Sequence, residues 1–281
     1  MPLLEPWLHR WQLTADGPAV ETHTSLLLPA RQAGQPVMLK VACVEEEARG
    51  AEILAWWGGE GAARVLALEG DALLMERATG PRSLVQMATT SREADASALH
   101  ILCATAANLH QPRPQPPASA TTLRRWFAAL APTAQREGGV FRQAHAAAAH
   151  LLATPREPAV LHGDLHHENI LWDNARGWLA IDPKGVLGEP AYEMGAALRN
   201  PITPGTPAAE PVTMARRVDV MVEMLGLDRT RILGWCAAQA VLAAIWSIEE
   251  GRGRQERLDH WLAVEACAWQ LLGASCRCYG G

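Results

Sequence analysis

The sequence predicts an α+β protein made of two lobes, a small β-rich N-terminal lobe and a larger, mainly helical C-terminal lobe. Short apolar segments of strand length, separated by Gly and Pro, dominate residues 1–77. From Ser83 onward, apolar residues recur at helical spacing instead. Because Thr79-Gly80-Pro81 ends the last predicted strand, we expect an N-terminal lobe of residues 1–78 and a C-terminal lobe of residues 79–281.

The predicted elements follow this division in chain order. The N-terminal lobe has strands Ser25–Leu28 and Val37–Val44, joined by a turn over Pro29–Pro36, then helix Glu45–Trp57 and a hairpin of Arg64–Leu68 with Ala72–Arg77. The C-terminal lobe has helices ending at His110, over Leu123–Leu130 and Ala144–Leu152, around Met194–Leu198, and over Val212–Leu225, Arg229–Ile248 and Glu256–Leu272.

The composition is that of an ordinary globular protein. The 281 residues are 49% hydrophobic and 20% charged, which leaves ample apolar material for a buried core. The net charge of −5 argues against nucleic acid as the main partner and agrees with a cationic small molecule. We expect a monomer or at most a weak dimer.

The sequence favours a cytoplasmic protein without a membrane partner. The six cysteines form no C-x-x-C pair, which is typical of a reducing compartment. The N-terminus lacks the basic and then apolar profile of a secretion signal. The most apolar helical stretch, Trp235 to Trp246, is shorter than the ~20 residues that a membrane span requires.

A lysine lies inside the second predicted strand. Lys40 has apolar neighbours in VMLKVACV, where an ammonium is costly unless it binds anions. An edge-strand lysine that points into solvent is the alternative. The helix that follows offers Glu47 and Glu52 as acidic partners, and their spacing prevents both from facing Lys40 equally.

The segment Val160 to Gly188 carries the strongest chemical signal. Two apolar runs, Ile170–Trp172 and Trp178–Ile181, flank a turn and predict a β-hairpin. We expect Asp173 to pair with Trp178 and Ile170 with Ile181, which would place Asn169 directly beside Asp182. Asp164 enters the same end of the hairpin. Two carboxylates and a carboxamide converging on one point suit a divalent cation that carries phosphate oxygens.

The order of these groups resembles a kinase catalytic loop. His162-x-Asp164-x-x-x-x-Asn169 has the spacing of an Asp that accepts a hydroxyl proton and an Asn that binds metal. The loop resembles the H-G-D-x-H-x-x-N motif of the aminoglycoside phosphotransferase family. The string IDPKGVLGEPAYEMGAALRNP, from Ile181 to Pro201, is similar to the streptomycin 6-kinase and hydroxyurea phosphotransferase branch of that family.

The resemblance implies a two-lobed protein-kinase-like fold with ATP and Mg²⁺ in the cleft. Asn169 and Asp182 would hold the metal, as in kinases. Asp164 would accept or orient the proton of the acceptor hydroxyl. His162 would support the loop by hydrogen bonding rather than act as a base.

The resemblance also implies how ATP is held. Lys40 would bind the α- and β-phosphates, with Glu52 preferred over Glu47 as its partner because its distance from Lys40 is nearer the usual spacing in the family. Backbone groups near Glu76 to Ala78 would bond the adenine edge. No G-x-G-x-x-G precedes Lys40, so Asp16–Pro18 and Thr22–Ser25 are the candidate phosphate-facing loops.

The acceptor implied by the resemblance is an aminoglycoside, with streptomycin and its 6-hydroxyl preferred, so that the protein would confer antibiotic resistance. Acidic residues of the C-terminal lobe could bind the cationic ring system, and the candidates are Glu189, Glu193, Asp219, Glu249 and Glu250. Lys184 could offset charge near the phosphoryl group or could face solvent. Kinases of hydroxyurea, homoserine or a sugar remain as alternatives.

Three other interpretations fit less well. A pseudokinase should lack Lys40, Asp164, Asn169 or Asp182, and all are present. A metal-dependent hydrolase could use the histidine run, and His166-His167-Glu168 even matches half of a zinc deaminase signature, but the chain has no P-C-x-x-C. A purely structural hairpin would leave converging carboxylates without partners.

Overall fold

The N-terminal part of the protein is a six-stranded antiparallel sheet with one long helix beside it. The structure is a computed structural model that describes residues 3–202, 207–249 and 255–275. The elements of the N-terminal part are α1 (Glu5–Arg10), β1 (Leu13–Ala15), β2 (Val20–Glu21), β3 (Ser25–Gln32), β4 (Gln35–Ala42), α2 (Glu45–Trp56), β5 (Val65–Glu69) and β6 (Ala72–Glu76). The strands are ordered β1-β3-β4-β6-β5, and β2 pairs with β3.

Lys40 lies in the middle of this sheet. It pairs with Leu27 of β3 on one side and with Leu73 of β6 on the other, so β4 is a central strand and the edge-strand alternative is excluded. The predicted turn over Pro29–Pro36 is wrong in extent. The strands continue through it to a tight turn at Ala33-Gly34, where both residues have a positive φ.

The remaining part of the described chain is mainly helical, as predicted. Its elements are α3 (Leu84–Thr90), α4 (Arg92–Leu109), β7 (Thr121–Thr122), α5 (Leu123–Trp126), α6 (Leu130–Glu137), α7 (Gly139–Ala153), β8 (Ala159–Leu161), β9 (Ile170–Asp173), β10 (Gly177–Ala180), β11 (Val186–Gly188), α8 (Pro190–Leu198), a 3-10 turn (Pro207–Ala209), α9 (Pro211–Leu225), α10 (Arg229–Glu249) and α11 (Gln255–Ser275). The predicted α+β class is confirmed.

Helix α10 is the centre of the helical part. Every residue from Arg231 to Ile245 is buried, and the helix packs against α7, α8 and α11. With 21 residues, α10 is longer than the apolar stretch from Trp235 to Trp246 that the sequence indicated. By length and composition alone it could span a membrane. Since 78% of its apolar window lies inside the fold, it has the burial of a core helix.

Helix α2 joins the two parts. Its inner residues Ile53, Leu54 and Trp57 belong to the same buried cluster as the core of the helical part. Gly50 meets the segment after β10 so closely that an added Cβ would lie 2.0 Å from the carbonyl oxygen of Pro183. Gly185 has a positive φ, and a Cβ there would lie 2.7 Å from the side chain of Ile53. The helix and this segment therefore pack with their backbones almost in contact.

The hairpin predicted over Ile170–Ile181 forms from β9 and β10, but its predicted register is wrong by one residue. Asp173 pairs with Gly177 and Ile170 with Ala180. The Asp173 carboxylate accepts the N–H groups of Ala175 and Arg176, and Gly177 follows with φ +81, so the loop is one residue shorter than expected. Asn169 consequently lies opposite Ile181 rather than Asp182.

The predicted boundary between residues 78 and 79 stays a prediction. The last strand of the sheet ends at Glu76, and α3 begins at Leu84. The segment between them touches the hairpin, where the Gly80 N–H donates to the Trp172 carbonyl at 2.9 Å.

We expect Gly50→Ala to lower the thermal stability of the protein. Alanine has the higher helix propensity, but its Cβ would overlap the Pro183 carbonyl, and overpacking of this kind costs about 1–3 kcal/mol. Gly273→Ala in α11 is the matched control, because an added Cβ there meets nothing within 4 Å. Thermal unfolding should show a lower midpoint for Gly50→Ala alone, and equal midpoints for the two variants would contradict the packing described here.

Candidate active site

A cavity of about 280 Å³ lies between the sheet, helix α2 and the segment after β10. Its walls combine hydroxyl groups of the N-terminal strands, two lysines, two carboxylates and one carboxamide. The residues that carry these groups are Thr22, Thr24, Ser25, Lys40, Lys184, Glu47, Asp182 and Asn169. The structure therefore brings Lys40, Asn169 and Asp182 together, as the sequence predicted.

Lys40 forms its helix ion pair with Glu47, not with Glu52. The buried ammonium contacts the carboxylates of Glu47 and Asp182. Glu52 lies on the outer side of α2, where it accepts a hydrogen bond from the Ser119 hydroxyl at 2.5 Å. The preference for Glu52 was wrong because it rested on distance along the chain, whereas the direction of the side chain decides the contact. Residues five positions apart on a helix point in different directions, and α2 turns Glu47 toward β4 and Glu52 away from it.

A second lysine completes a ring of alternating charges. The Lys184 ammonium lies 3.1 Å from Glu47 and 3.2 Å from Asp182, with Glu46 at 3.7 Å. Burial alone would raise the pKa of Asp182, but Lys40 and Lys184 hold that pKa well below its usual range. Burial alone would lower the pKa of Lys184, but Asp182 and Glu47 raise it. Both groups are therefore charged at neutral pH, and Lys184 is not a solvent-facing lysine.

The donor set fits Mg²⁺ shared with phosphate oxygens. The amide nitrogen of Asn169 donates to the backbone carbonyl of Asp164 at 2.9 Å, which leaves its side-chain oxygen available. Asp182 has φ +60 and directs its carboxylate into the cavity. The ammonium groups of Lys40 and Lys184 both contact this carboxylate and neutralise its charge, as a bound cation would. Within the described residues no group of three or more His, Cys, Asp or Glu could hold a metal. One carboxylate and one carboxamide suit a cation that takes its other ligands from phosphate and water.

Asp164 is held by the helical part of the protein. One carboxylate oxygen accepts from Arg199 at 2.6 Å, and the other lies 3.5 Å from the His166 ring. Burial alone would raise the pKa of Asp164, but the nearby His166, Arg199 and Lys184 hold it well below its usual range. Arg199 was not singled out from the sequence, and no local spacing connects it to Asp164.

His162 supports the loop, as predicted. The fully buried ring nitrogen Nε2 donates to the Ile181 carbonyl at 2.7 Å, which leaves Nδ1 as the acceptor for the Asp164 N–H at 3.3 Å. Burial lowers the pKa of His162, so the ring is neutral. The Glu193 carboxylate accepts the backbone N–H groups of His162 and Gly163 at 2.6 and 2.9 Å.

Two of the acidic residues suggested for acceptor binding, Glu189 and Glu193, are engaged inside the fold. Glu193 is fully buried and holds the catalytic loop. Glu189 is buried against Arg231 and the indole N–H of Trp235, both at distances of 2.5 Å. Asp219 pairs with Arg229, Glu249 ends α10, and Glu250 lies outside the described residues. Glu189 and Glu193 were wrong candidates because their carboxylates are buried and already bonded to other groups of the protein.

The histidine run does not converge on one point. His162 bonds Ile181, and His166 faces Asp164. His167 is 1% exposed, and burial lowers its pKa to about 3. Among the residues that the structure describes, neither of its ring nitrogens has a hydrogen-bond partner. The three rings therefore have separate surroundings, which disfavours a metal site built on them.

The predicted adenine-binding segment lies at the end of β6. Met75 lines the cavity. The Glu76 carboxylate accepts from the Arg64 backbone and pairs with Arg176, and the Glu76 N–H donates to the Arg64 carbonyl. The side chain of Glu76 is therefore engaged within the fold, and a role for backbone groups up to Ala78 stays a prediction.

The small sheet is joined to a helical part, and its strand lysine is paired with a helix glutamate and lies beside an aspartate and an asparagine. This is the arrangement of kinase-like phosphotransferases. A sequence model of the family "Aminoglycoside/hydroxyurea antibiotic resistance kinase" matches residues 10–251. The chain belongs to this family, and it is a kinase that acts on a hydroxyl acceptor.

Known relatives agree with this assignment over most of the chain. A streptomycin 3''-kinase of Klebsiella pneumoniae is 44% identical, over 94% of this chain and 100% of the relative. A streptomycin 6-kinase of Streptomyces glaucescens is 33% identical, over 89% of this chain and 83% of the relative. Aminoglycoside phosphotransferase APH(4)-Ia, solved with ADP and hygromycin B, matches with a TM-score of 0.66 at 14% identity, over 95% of this chain and 98% of that one. This last likeness shows the fold.

We expect Arg199→Met to raise the pKa of Asp164. Losing a contacting cation typically raises a carboxyl pKa by about 1–3 units. Burial also raises the pKa of Asp164, and Arg199 would no longer oppose that effect. The carboxyl group of Asp164 should therefore take up its proton at a higher pH than in the unchanged protein. The measurement is an NMR titration of the Asp164 carboxyl carbon, from pH 7 down to the lowest pH at which the protein stays folded. Arg199→Lys keeps the charge and should raise the midpoint less; an unmoved midpoint in Arg199→Met would show that Arg199 does not control this group.

Proposed function

We propose that the protein is an ATP-dependent, Mg²⁺-requiring kinase that transfers the γ-phosphate of ATP to a hydroxyl group of streptomycin and so confers resistance to it. The observation that carries the acceptor is the 44% identity to a streptomycin 3''-kinase along that relative's whole length. The geometry of the cavity supports the donor, because it combines the phosphate-binding lysine with the metal-binding oxygens.

Lys40, Asn169 and Asp182 bind the nucleotide in this proposal. The ammonium of Lys40, held by Glu47, contacts the phosphates, and the oxygens of Asn169 and Asp182 hold Mg²⁺. When bound, the metal neutralises charge on the phosphate oxygens. The hydroxyls of the Thr22–Ser25 segment line the same cavity and replace the absent glycine-rich loop.

Asp164 acts on the acceptor. Its ionised carboxylate takes the proton of the acceptor hydroxyl while that oxygen bonds the γ-phosphorus and the bond to ADP breaks. The Asp164 backbone N–H is bonded to His162 and its side chain to Arg199, so the carboxylate is fixed before the acceptor arrives. Such preorganisation is the main contribution of the protein in this reaction class.

The hydroxyl that receives the phosphate has two candidates. The sequence string favoured the 6-hydroxyl, and a 6-kinase is 33% identical to this chain. The relative with 44% identity is named for the 3'' position. We therefore propose the 3''-hydroxyl first and the 6-hydroxyl second. A cytoplasmic monomer remains part of the proposal.

Purified protein with Mg-ATP and streptomycin should release ADP and form a monophosphorylated product. Phosphorus–proton NMR correlation of the product then assigns the 3'' or the 6 position. Asp164→Asn is the matched variant, since it keeps the size of the side chain but cannot accept the proton; it should lower kcat by about 10²–10⁴-fold while nucleotide binding stays.

A panel of hydroxyurea, homoserine, sugars and aminoglycosides with a different central ring tests the acceptor. If streptomycin gives no ADP release and another compound of the panel does, the proposed acceptor is wrong and the kinase activity is retained. Near-wild-type turnover in Asp164→Asn would instead show that the loop assignment is wrong.

A further inference from the structure

One charged group in the nucleotide cavity has no part in the reaction just described. Lys184 has 14% of its side chain exposed and directs its ammonium into the same cavity as Lys40. The cavity thus contains two ammonium groups, both bonded to Glu47 and Asp182. A kinase cleft that binds a nucleotide through one lysine does not require the second.

The backbone around Lys184 is fixed from several directions. Its N–H donates to the His162 carbonyl at 2.6 Å, and its own carbonyl accepts from Arg49 of α2 at 3.2 Å. The next residue, Gly185, packs against Ile53 and accepts the Thr121 N–H at 2.9 Å. The side chain therefore starts from a rigid point, and its ammonium is confined to the region between α2 and Asp182.

Lys184 lies at the metal end of the proposed reaction. Its ammonium is 3.2 Å from the Asp182 carboxylate and faces the cavity that also contains Lys40 and Asn169. In the proposed function the terminal phosphate would share its cation with Asp182 and Asn169. The ammonium of Lys184 therefore lies beside the place where the γ-phosphate would bind.

The ring of charges cannot persist unchanged when Mg-ATP binds. Asp182 must then direct an oxygen to the metal, which removes one of the partners that neutralise Lys184. A buried ammonium without a compensating anion is costly. Glu47 is already shared with Lys40 and with the Thr24 hydroxyl at 2.8 Å, and the other nearby carboxylate, that of Glu46, is 3.7 Å away. The new anion available at this place is an oxygen of the terminal phosphate.

We propose that Lys184 is a second phosphate-binding residue, specific for the γ-phosphoryl group, which Glu47 and Asp182 hold in place until the nucleotide arrives. The inference rests on the proposed kinase function and adds to it a means of distinguishing ATP from ADP. After transfer the γ-phosphoryl group leaves on the acceptor, and Lys184 returns to Asp182. ADP, which lacks the group that Lys184 binds, is then held less tightly than ATP.

The test compares the affinity of a non-hydrolysable ATP analogue with that of ADP, each with Mg²⁺ and without any acceptor, by calorimetry. Lys184→Met should weaken the analogue at least about tenfold more than ADP, because a charge-assisted bond to phosphate is lost only for the analogue. Lys184→Arg, which keeps the charge, should recover part of the difference. ADP binding also reports that each variant is folded.

Arg49→Met is the matched control. It loosens the same junction between α2 and the segment by removing the bond to the Lys184 carbonyl, but it leaves the ammonium in place. It should change the two affinities by the same factor. If Lys184→Met does not fold, Lys184→Gln, which removes the charge, is measured by the same ratio.

Either of two results in the charge-removing variant would overturn the proposal. An equal loss for both nucleotides would make Lys184 a structural clamp, and no loss would show that Lys184 has no part in nucleotide binding. The measurement contains no acceptor, so it is independent of the streptomycin assignment. If Lys184→Met changes the ratio of the two nucleotide affinities but the protein does not turn over streptomycin, the role of Lys184 is supported and only the proposed acceptor is wrong. A wild-type protein that binds neither nucleotide would overturn the kinase function and this inference with it.

Discussion

The carboxylate of Glu47 is the group on which the nucleotide cavity depends. It binds Lys40 from the sheet, Lys184 from the segment after the hairpin, and the Thr24 hydroxyl from the loop that covers the cavity. Three separate parts of the chain thus meet on one side chain of helix α2. Removing one member of a buried ion pair costs about 3–5 kcal/mol in general, and here two cations would lose a partner at once. The cavity exists in this form because one buried anion holds it together.

Helix α8 has the same function on the acceptor side. Glu189 at its start binds Arg231 of the core helix α10, and Glu193 in its first turn accepts two N–H groups of the catalytic loop. Arg199, just after its end, binds Asp164. One short helix therefore connects the core, the loop and the Asp164 carboxylate. This explains why Glu189 and Glu193, which the sequence analysis offered as acceptor-binding residues, are buried.

Local patterns in the sequence were sufficient for the fold class, for most of the longer elements and for the residues that the catalytic-loop motif contains. They missed α1 and several short strands, and they joined α5 and the start of α6 into one helix. They were insufficient wherever a contact joins distant segments. The choice between Glu47 and Glu52 depends on which face α2 turns to β4, and spacing along the chain does not contain that information. The hairpin register depends on a turn closed by the Asp173 side chain, which shortens the loop by one residue. Arg199 and Lys184 acquire their importance only from partners brought to them by the fold.

The contact between α2 and the segment after Asp182 has a consequence for regulation. In many kinases the corresponding helix swings outward, which breaks the lysine–glutamate pair and switches the enzyme off. Here Gly50 lies against the Pro183 carbonyl and Gly185 against Ile53, so such a swing would open a gap along a backbone-to-backbone interface. Arg49, bonded to the Lys184 carbonyl, would have to release it as well. The packing of the helix therefore opposes that swing and favours the assembled pair over a separated one.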